Sequence, residues 1–222
     1  MSVVALVPAA GRGERLGADL PKALVPVAGA PLLVHAVRGL LDSGCVDHVV
    51  VAAPPLHVEQ TESLLSGLSP VTVVAGGADR TSSVRITLDH VVASDTVVLV
   101  HDAARAFTPA SVIKRVVAAV QSGKPAVIPV LAVTDTIKQV DASGVVTATI
   151  DRSSLRAVQT PQGFALDVLR RAHASAGDTA TDDATLVERL GIPVHTVEGH
   201  PHALKITTPF DLAIAESHLP TP

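Results

Sequence analysis

Arg12, Arg15 and Lys22 stand beside Gly11, Gly13 and Gly17 in the stretch VPAAGRGERLGADLPKAL, which leaves an apolar run at the amino terminus. Glycines accept positive φ and let main-chain N–H groups approach an anion with no Cβ in the way. Arg15 and Lys22 would add charge against the phosphates of a nucleoside triphosphate, with Pro21 stiffening the approach to Lys22. Arg12 has no such placement argument and reads as a solvated surface charge. A surface turn with solvated cations would use the same residues. Two familiar loop grammars fit poorly: a Walker loop closes on Gly-Lys-Ser/Thr, which is missing here, and a dinucleotide fingerprint needs a third glycine where Leu16 stands.

Two later stretches carry further polar residues. GGADRTSSV, Gly76 to Val84, offers paired glycines against a flat base and Ser83 for a base edge, while Thr81 or Ser82 would cap the following helix. VLVHDAARAF, Val98 to Phe107, places Asp102 and Arg105 at the carboxyl end of an apolar strand. Ligands bind at that edge in open α/β sheets, although a structural ion pair would use the same two residues. Asp102 could hold hydroxyls or help position Mg²⁺, which prefers hard oxygen ligands. The histidines show no zinc-ligand spacing, and His101 reads as a structural hydrogen-bond partner. Asp182 and Asp183 suit a helix N-terminus.

The elements that must hold these residues are legible in the same sequence. Val3 to Val7, Val49 to Ala53, Val71 to Ala75, Val97 to Val100 and Ala126 to Val130 are short valine-rich runs without polar alternation, as in strands buried on both faces. Helical spacing marks Leu32 to Leu41, Val58 to Leu65, Ser83 to Val92 and Val112 to Val120 between them, with Pro31 and Pro109 at two helix starts. The alternation predicts an α/β fold: one Rossmann-like domain over 1–222, a mostly parallel twisted sheet flanked by helices. The rhythm breaks after Val130, where two β-like stretches flank Asp141-Ala142-Ser143-Gly144. This predicts a hairpin arm at about 132–154, packed on a partner subunit or folded back on its own domain. Helices are expected over Ala165 to Ala174, Asp183 to Leu190 and Pro209 to His218, and strands over Val194 to Val197 and Ala203 to Thr207.

Composition narrows the function classes. With 222 residues, 47% of them hydrophobic, the chain can bury a substantial core. A net charge of −4, with three Phe and no Trp or Tyr, argues against nucleic-acid binding. Its one cysteine, Cys45, forms no internal disulfide, which fits a cytoplasmic setting, and no apolar run is long enough for a membrane span.

VPAAGRGERLG, PKAL, GGADRTSSV, HDAAR, VTDTIKQ, TIDRSSL, TPQGF, ATDDATLVE and ALKITTP resemble, in order and spacing, the 2-C-methyl-D-erythritol 4-phosphate cytidylyltransferases, among the nucleotidyltransferases that join a nucleoside monophosphate to a sugar or polyol phosphate. The resemblance spans nearly the whole chain. It implies that Ala9, Ala10, Gly11 and Gly13 line a CTP site with Arg15 and Lys22 on the phosphates, and that Gly77 and Ser83 read cytosine. It implies that Asp102, Ala103 and Arg105 lie between nucleotide and second substrate. Thr136 and Arg152 would reach across a homodimer to the neighbour's methylerythritol phosphate, with Thr181 and Lys205 facing the same site. Arg15, Lys22 and Lys205 are the implied catalytic cations, and Mg²⁺, or another divalent cation, would arrive mainly on CTP phosphates, with Asp102 as a protein ligand. Two positions depart from relatives: Ala78 replaces an acidic residue, and Ala106 stands where proline is common. Rival readings are a nucleotidyltransferase using UTP or GTP, and a nucleotide-binding module without turnover.

Overall fold

Valine-rich runs without alternation need cover on both faces, and the chain supplies it by wrapping helices over each side of a twisted sheet. A computed structural model describes residues 1–11, 20–92, 96–175 and 180–217. In chain order the elements are β1 (Ser2–Pro8), a short ribbon of β2 (Pro26–Val27) and β3 (Ala30–Pro31), α1 (Leu32–Asp42), β4 (His48–Ala53), α2 (Val58–Leu65), β5 (Val71–Ala75), α3 (Arg80–Leu88) and β6 (Thr96–Val100). There follow α4 (Ala110–Gln121), β7 (Ala126–Ala132), β8 (Ile137–Val140), β9 (Val146–Ile150), β10 (Arg156–Val158), β11 (Gln162–Ala165), α5 (Leu166–Ala174), α6 (Asp183–Arg189), β12 (Val194–Glu198) and α7 (Pro209–Ser217).

Strands β5, β4, β1 and β6 lie side by side and parallel. Beyond β6 comes β11, antiparallel to both β6 and β7, while β10 pairs with the far end of β7 and β12 runs parallel to β7. Successive residues of β1 point to opposite faces. Val3, Ala5 and Val7 join the core beneath α1 and α4, and Val4 and Leu6 join the one beneath α3, α5 and α6. Helix α1 buries Leu32, Leu33, Ala36, Val37 and Leu40, a stripe at helical spacing. Pro31 and Pro109 stand just ahead of α1 and α4, as expected. Among the described residues no helix is long and apolar enough to cross a membrane.

Helix α3 begins at Arg80 and ends at Leu88, earlier at both ends than its apolar spacing predicts. The cap is Asp79, not Thr81 or Ser82: its carboxylate accepts from the Ser82 amide at 2.7 Å, and the Ser82 hydroxyl closes the reciprocal half of the box. Ala203 to Thr207 forms no strand. Pro201–Ala203 is a 3₁₀ turn capped by His200, and the Ile206 amide donates to the Ala104 carbonyl at 2.8 Å, so this segment is tied to a loop instead of a ladder.

The hairpin forms as read. Gly144 takes φ +85°, and the Asp141 carboxylate accepts from the Ser143 and Val145 amides at 2.9 and 3.0 Å. Strands β8 and β9 form a two-stranded sheet of their own, with Val140, Val145 and Val146 54%, 61% and 55% exposed. The arm therefore stands out from the domain instead of folding back on it.

Gly163 sits where β11 passes beneath α4, and a Cβ there would lie 2.5 Å from Val116 Cγ1. Gly163→Ala is expected to lower stability by roughly 1–3 kcal/mol, read from urea unfolding midpoints. His101, just past β6, is buried, with its Nδ1 3.2 Å from the Thr160 hydroxyl. Burial pushes its pKa down to about 4, against the opposing pull of Asp102. Between about 6.5 and about 4 the unfolded chain holds a proton that the native imidazole refuses, so stability falls as pH drops through that window. Unfolding free energy measured from pH 7 to pH 4 should fall less steeply in His101→Gln, by up to about 1.4 kcal/mol per pH unit; equal slopes would remove His101 from the acid response.

Candidate active site

Because β1, β4, β5 and β6 are parallel, their carboxyl ends meet at one edge of the sheet. From β1 the chain moves to β4 on one side, and β6 lies on the other. A crevice opens at such a switch point. Here it is a cleft of about 200 Å³.

The loop after β1 supplies Ala9, Ala10 and Gly11 to the cleft. Lys22 enters from a 3₁₀ turn, Lys22–Leu24, anchored by the buried Ala23 and Leu24 and closed by the Leu24 amide on the Pro21 carbonyl at 2.8 Å. From the other flank come Gly77 and Ser83. The Ser83 hydroxyl donates to the Asp79 carbonyl at 2.8 Å and accepts from the Gly77 amide at 3.1 Å, so it shapes the loop as well as facing the cleft. Gly76 reads from the sequence only as one of two glycines facing a flat base, and its structural duty is different. A Cβ on it would lie 2.5 Å from that of Ala10, so its bareness lets the first and third loops close on each other. Ala78, the first departure, lies on the cleft wall and is exposed.

Asp102 and Ala103, from the end of β6, form the floor with Lys205. Asp102 is the electrostatic centre. Its Oδ2 lies 2.8 Å from Lys205 Nζ and its Oδ1 lies 3.3 Å from Arg80 Nε. Burial pushes its carboxyl up, but the charges of Arg80 and Lys205 outweigh that and hold it well below the usual carboxylate range. The Asp102 amide donates to the Thr160 hydroxyl at 3.0 Å, fixing the strand end. Arg80 lies inside GGADRTSSV but was not identified as a site residue; its partners are remote in sequence, and only its place just after the cap hints that it faces the cleft.

Arg105 makes structural bonds beside the cleft. Its guanidinium donates to the Ala203 carbonyl at 2.6 Å and to the Val158 carbonyl at 3.0 Å, tying the segment before Lys205 to the loop after β6. No ion pair between Arg105 and Asp102 forms among the described residues; the cations on Asp102 are Arg80 and Lys205. Ala106, the second departure, is buried beside Val25 and Ile206, and the Arg105 amide donates to the Asp102 carbonyl at 2.9 Å, so the loop is held without proline.

Thr136 and Arg152 lie at the base of the arm and do not line the described cleft, with Arg152 donating to the Thr134 carbonyl. Thr181 is exposed ahead of α6, its hydroxyl 3.4 Å from that of Thr185. Arg12, Gly13 and Arg15 lie outside the described residues. Asp182 caps α6 and Asp183 occupies its first turn, as read from the sequence. The Gln162 amide donates to Asp182 at 2.7 Å and its oxygen accepts from the Ala184 amide at 3.1 Å, which gives TPQGF a structural duty.

Both oxygens of Asp102 face cations, Oδ1 toward Arg80 and Oδ2 toward Lys205. Among the described residues no group of three or more His, Cys, Asp or Glu could hold an ion. As it stands Asp102 is committed to Arg80 and Lys205, and an ion bound there would share its oxygens with both.

Known proteins share this arrangement of chain. The IspD family model, 2-C-methyl-D-erythritol 4-phosphate cytidylyltransferase, matches residues 3–221. A protein of that name from Saccharopolyspora erythraea is 69% identical over 99% of this chain and 100% of its own length, and one from Rhodococcus opacus is 61% identical over 97% and 94%. The crystal structure of the Thermus thermophilus enzyme of that name superposes with a TM-score of 0.79 at 39% identity, covering 98% of both chains. The chain is thus a member of the 2-C-methyl-D-erythritol 4-phosphate cytidylyltransferase family.

Proposed function

We propose that the cleft between the ends of β1 and β6 is where CTP meets the second substrate, and that its cations carry the reaction of the family. The chain is a cytidylyltransferase: it transfers CMP from CTP to 2-C-methyl-D-erythritol 4-phosphate in the non-mevalonate route to isoprenoids, releasing pyrophosphate. The observation that carries the placement is the convergence of Lys22, the glycine loops and the Lys205–Asp102 pair on one cleft.

An oxygen of the polyol phosphate attacks the α-phosphorus of CTP in line, and the bond to the bridging oxygen of the β-phosphate breaks as pyrophosphate leaves. A phosphate monoester is already a competent nucleophile, so no cysteine or paired acid and base is needed. Two anions must approach, and charge builds on the α-phosphoryl oxygens and the leaving group. Catalysis then rests on positioning and on cations aimed at that charge. Lys22 and Arg15 are assigned to the triphosphate, Gly77 and Ser83 to the base, and Lys205 to the polyol phosphate. A divalent cation, Mg²⁺ by its preference for phosphate oxygens, would be carried by the triphosphate itself and would neutralise charge there.

The arm is assigned to a homodimer. Its outward valines need cover, and Thr136 and Arg152, which miss the cleft of their own chain, would be delivered to the partner's cleft. CTP as substrate favours a cytoplasmic setting.

Lys22→Ala should lower kcat by roughly 10²-fold or more with an unchanged melting curve, followed by pyrophosphate release across the four nucleotides. Turnover near that of the unsubstituted chain would remove Lys22 from the mechanism, and equal turnover with UTP or GTP would remove the cytosine preference. For the arm, Arg152→Ala should raise KM for the polyol phosphate much more than for CTP. Mixing Arg152→Ala with Lys22→Ala subunits should recover part of the lost activity, and verified heterodimers with none would show that each subunit completes its own site.

A further inference from the structure

Lys205 is the end of a chain of ionic contacts that begins well outside the cleft. From Asp102 Oδ1 it passes to Arg80 Nε at 3.3 Å, from Arg80 Nη1 to Asp183 Oδ2 at 2.7 Å, and from Asp183 Oδ1 to His173 Nε2 at 2.9 Å. Each carboxylate gives one oxygen to each neighbour, so the order is linear and its sign alternates. Its two ends differ in burial: the Lys205 side chain is 44% exposed, whereas those of Asp183 and His173 are 1% and 3% exposed.

We propose that His173, on α5, is a positioning residue that aims Lys205 at the second substrate through Asp183, Arg80 and Asp102. The inference rests on the reading of Lys205 as the partner of the polyol phosphate.

The tautomer follows from geometry. Asp183 is ionised, since His173 and Arg80 outweigh its burial and keep its carboxyl below the ordinary range. An ionised carboxylate only accepts, so Nε2 carries the proton. Among the described residues Nδ1 is buried with no hydrogen-bond partner, so the ring's one polar contact is the bond to Asp183. The bond to Asp183 is therefore donated from Nε2 of His173. The two carboxylates are thus faced by the two cations Arg80 and Lys205, with His173 as the last donor of the chain.

Occupying Asp183 Oδ1 is what the Nε2 donor does. With that oxygen unpaired and buried, the guanidinium fork of Arg80 would turn to take both oxygens of Asp183, the favoured bidentate geometry. Arg80 Nε would leave Asp102, whose carboxylate would reorient and carry Lys205 with it. Gln162 ties the start of α6 through Asp182 and the Ala184 amide, which limits how far the Asp183 carboxylate can follow.

Two amide substitutions separate this role from simple packing. In His173→Gln the amide nitrogen reaches the level of Nε2 and can still donate to Asp183, whereas in His173→Asn it stops at the level of Nδ1. With CTP and methylerythritol phosphate, His173→Asn is expected to lower kcat/KM for the polyol phosphate roughly 10- to 100-fold, leaving KM for CTP unchanged, and His173→Gln is expected to restore it. In a Lys205→Met background His173→Asn should add nothing. Equal activity of His173→Asn and the unsubstituted enzyme, equal loss in both amide variants, or a full additional loss in the Lys205→Met background would each overturn the proposal. Positioning can also be read without turnover, in crystals of His173→Asn: a displaced Lys205 is expected, and a Lys205–Asp102 contact unchanged at 2.8 Å overturns the proposal. Failure of the unsubstituted chain to release pyrophosphate would instead defeat the functional reading, and the crystal result would still decide the role of His173.

Discussion

A carboxylate removed from water at the end of β6 must be met by cations, and Asp102 is met by two drawn from opposite directions. Transferring such a group out of water costs several kcal/mol unless charge and hydrogen bonds replace its hydration. Arg80 comes from the first turn of α3 and Lys205 from the segment before α7, so one buried charge fixes three parts of the chain at once. The surrounding bonds are consistent with that demand. Thr160 holds the Asp102 amide, and Arg105 holds the carbonyl of Ala203, near Lys205. The loop after β6 is thus a junction whose side chains are mostly committed to one another.

The sheet explains why these parts can meet. Four parallel strands deliver four loops to the same edge, and the glycines remove the Cβ atoms that would hold the loops apart. Gly76 opposite Ala10 is the clearest instance. Its contribution is a missing methyl, and the backbone of the first loop lies where it does because nothing stands in the way.

Local signals made much of this legible in the sequence. Val3 to Val7 and Val97 to Val100 read as strands because burial on both faces removes alternation, and Asp141 to Gly144 read as a turn because the side chain and the positive φ both serve it. Ala9, Lys22, Asp102 and Lys205 were placed by motif order and do share one cleft. Illegible were the features that depend on distant partners. Arg105 is adjacent to a motif aspartate, yet its guanidinium is held by carbonyls at Val158 and Ala203. Arg80 binds a carboxylate at Asp183, across α5 and much of the chain, and no spacing rule connects them. The stretch Ala203 to Thr207 has the composition of a strand, but it finds a loop to bond to instead of a free ladder edge, so the tertiary partner decided its form.

The charge balance also divides the work among the cations. Asp102, Asp183, Arg80 and Lys205 form a set of two negative and two positive charges, so the set as a whole adds little net field to draw in a triphosphate. Its value lies in fixed direction, since each member is held by its neighbours before any substrate arrives. Outside the set, Lys22 also lines the described cleft, and Arg12 and Arg15 are nearby in sequence. Capture and aim are then separable: removing a cation of the first loop weakens the hold on the nucleotide phosphates, whereas breaking the buried chain misdirects Lys205 while the nucleotide still binds.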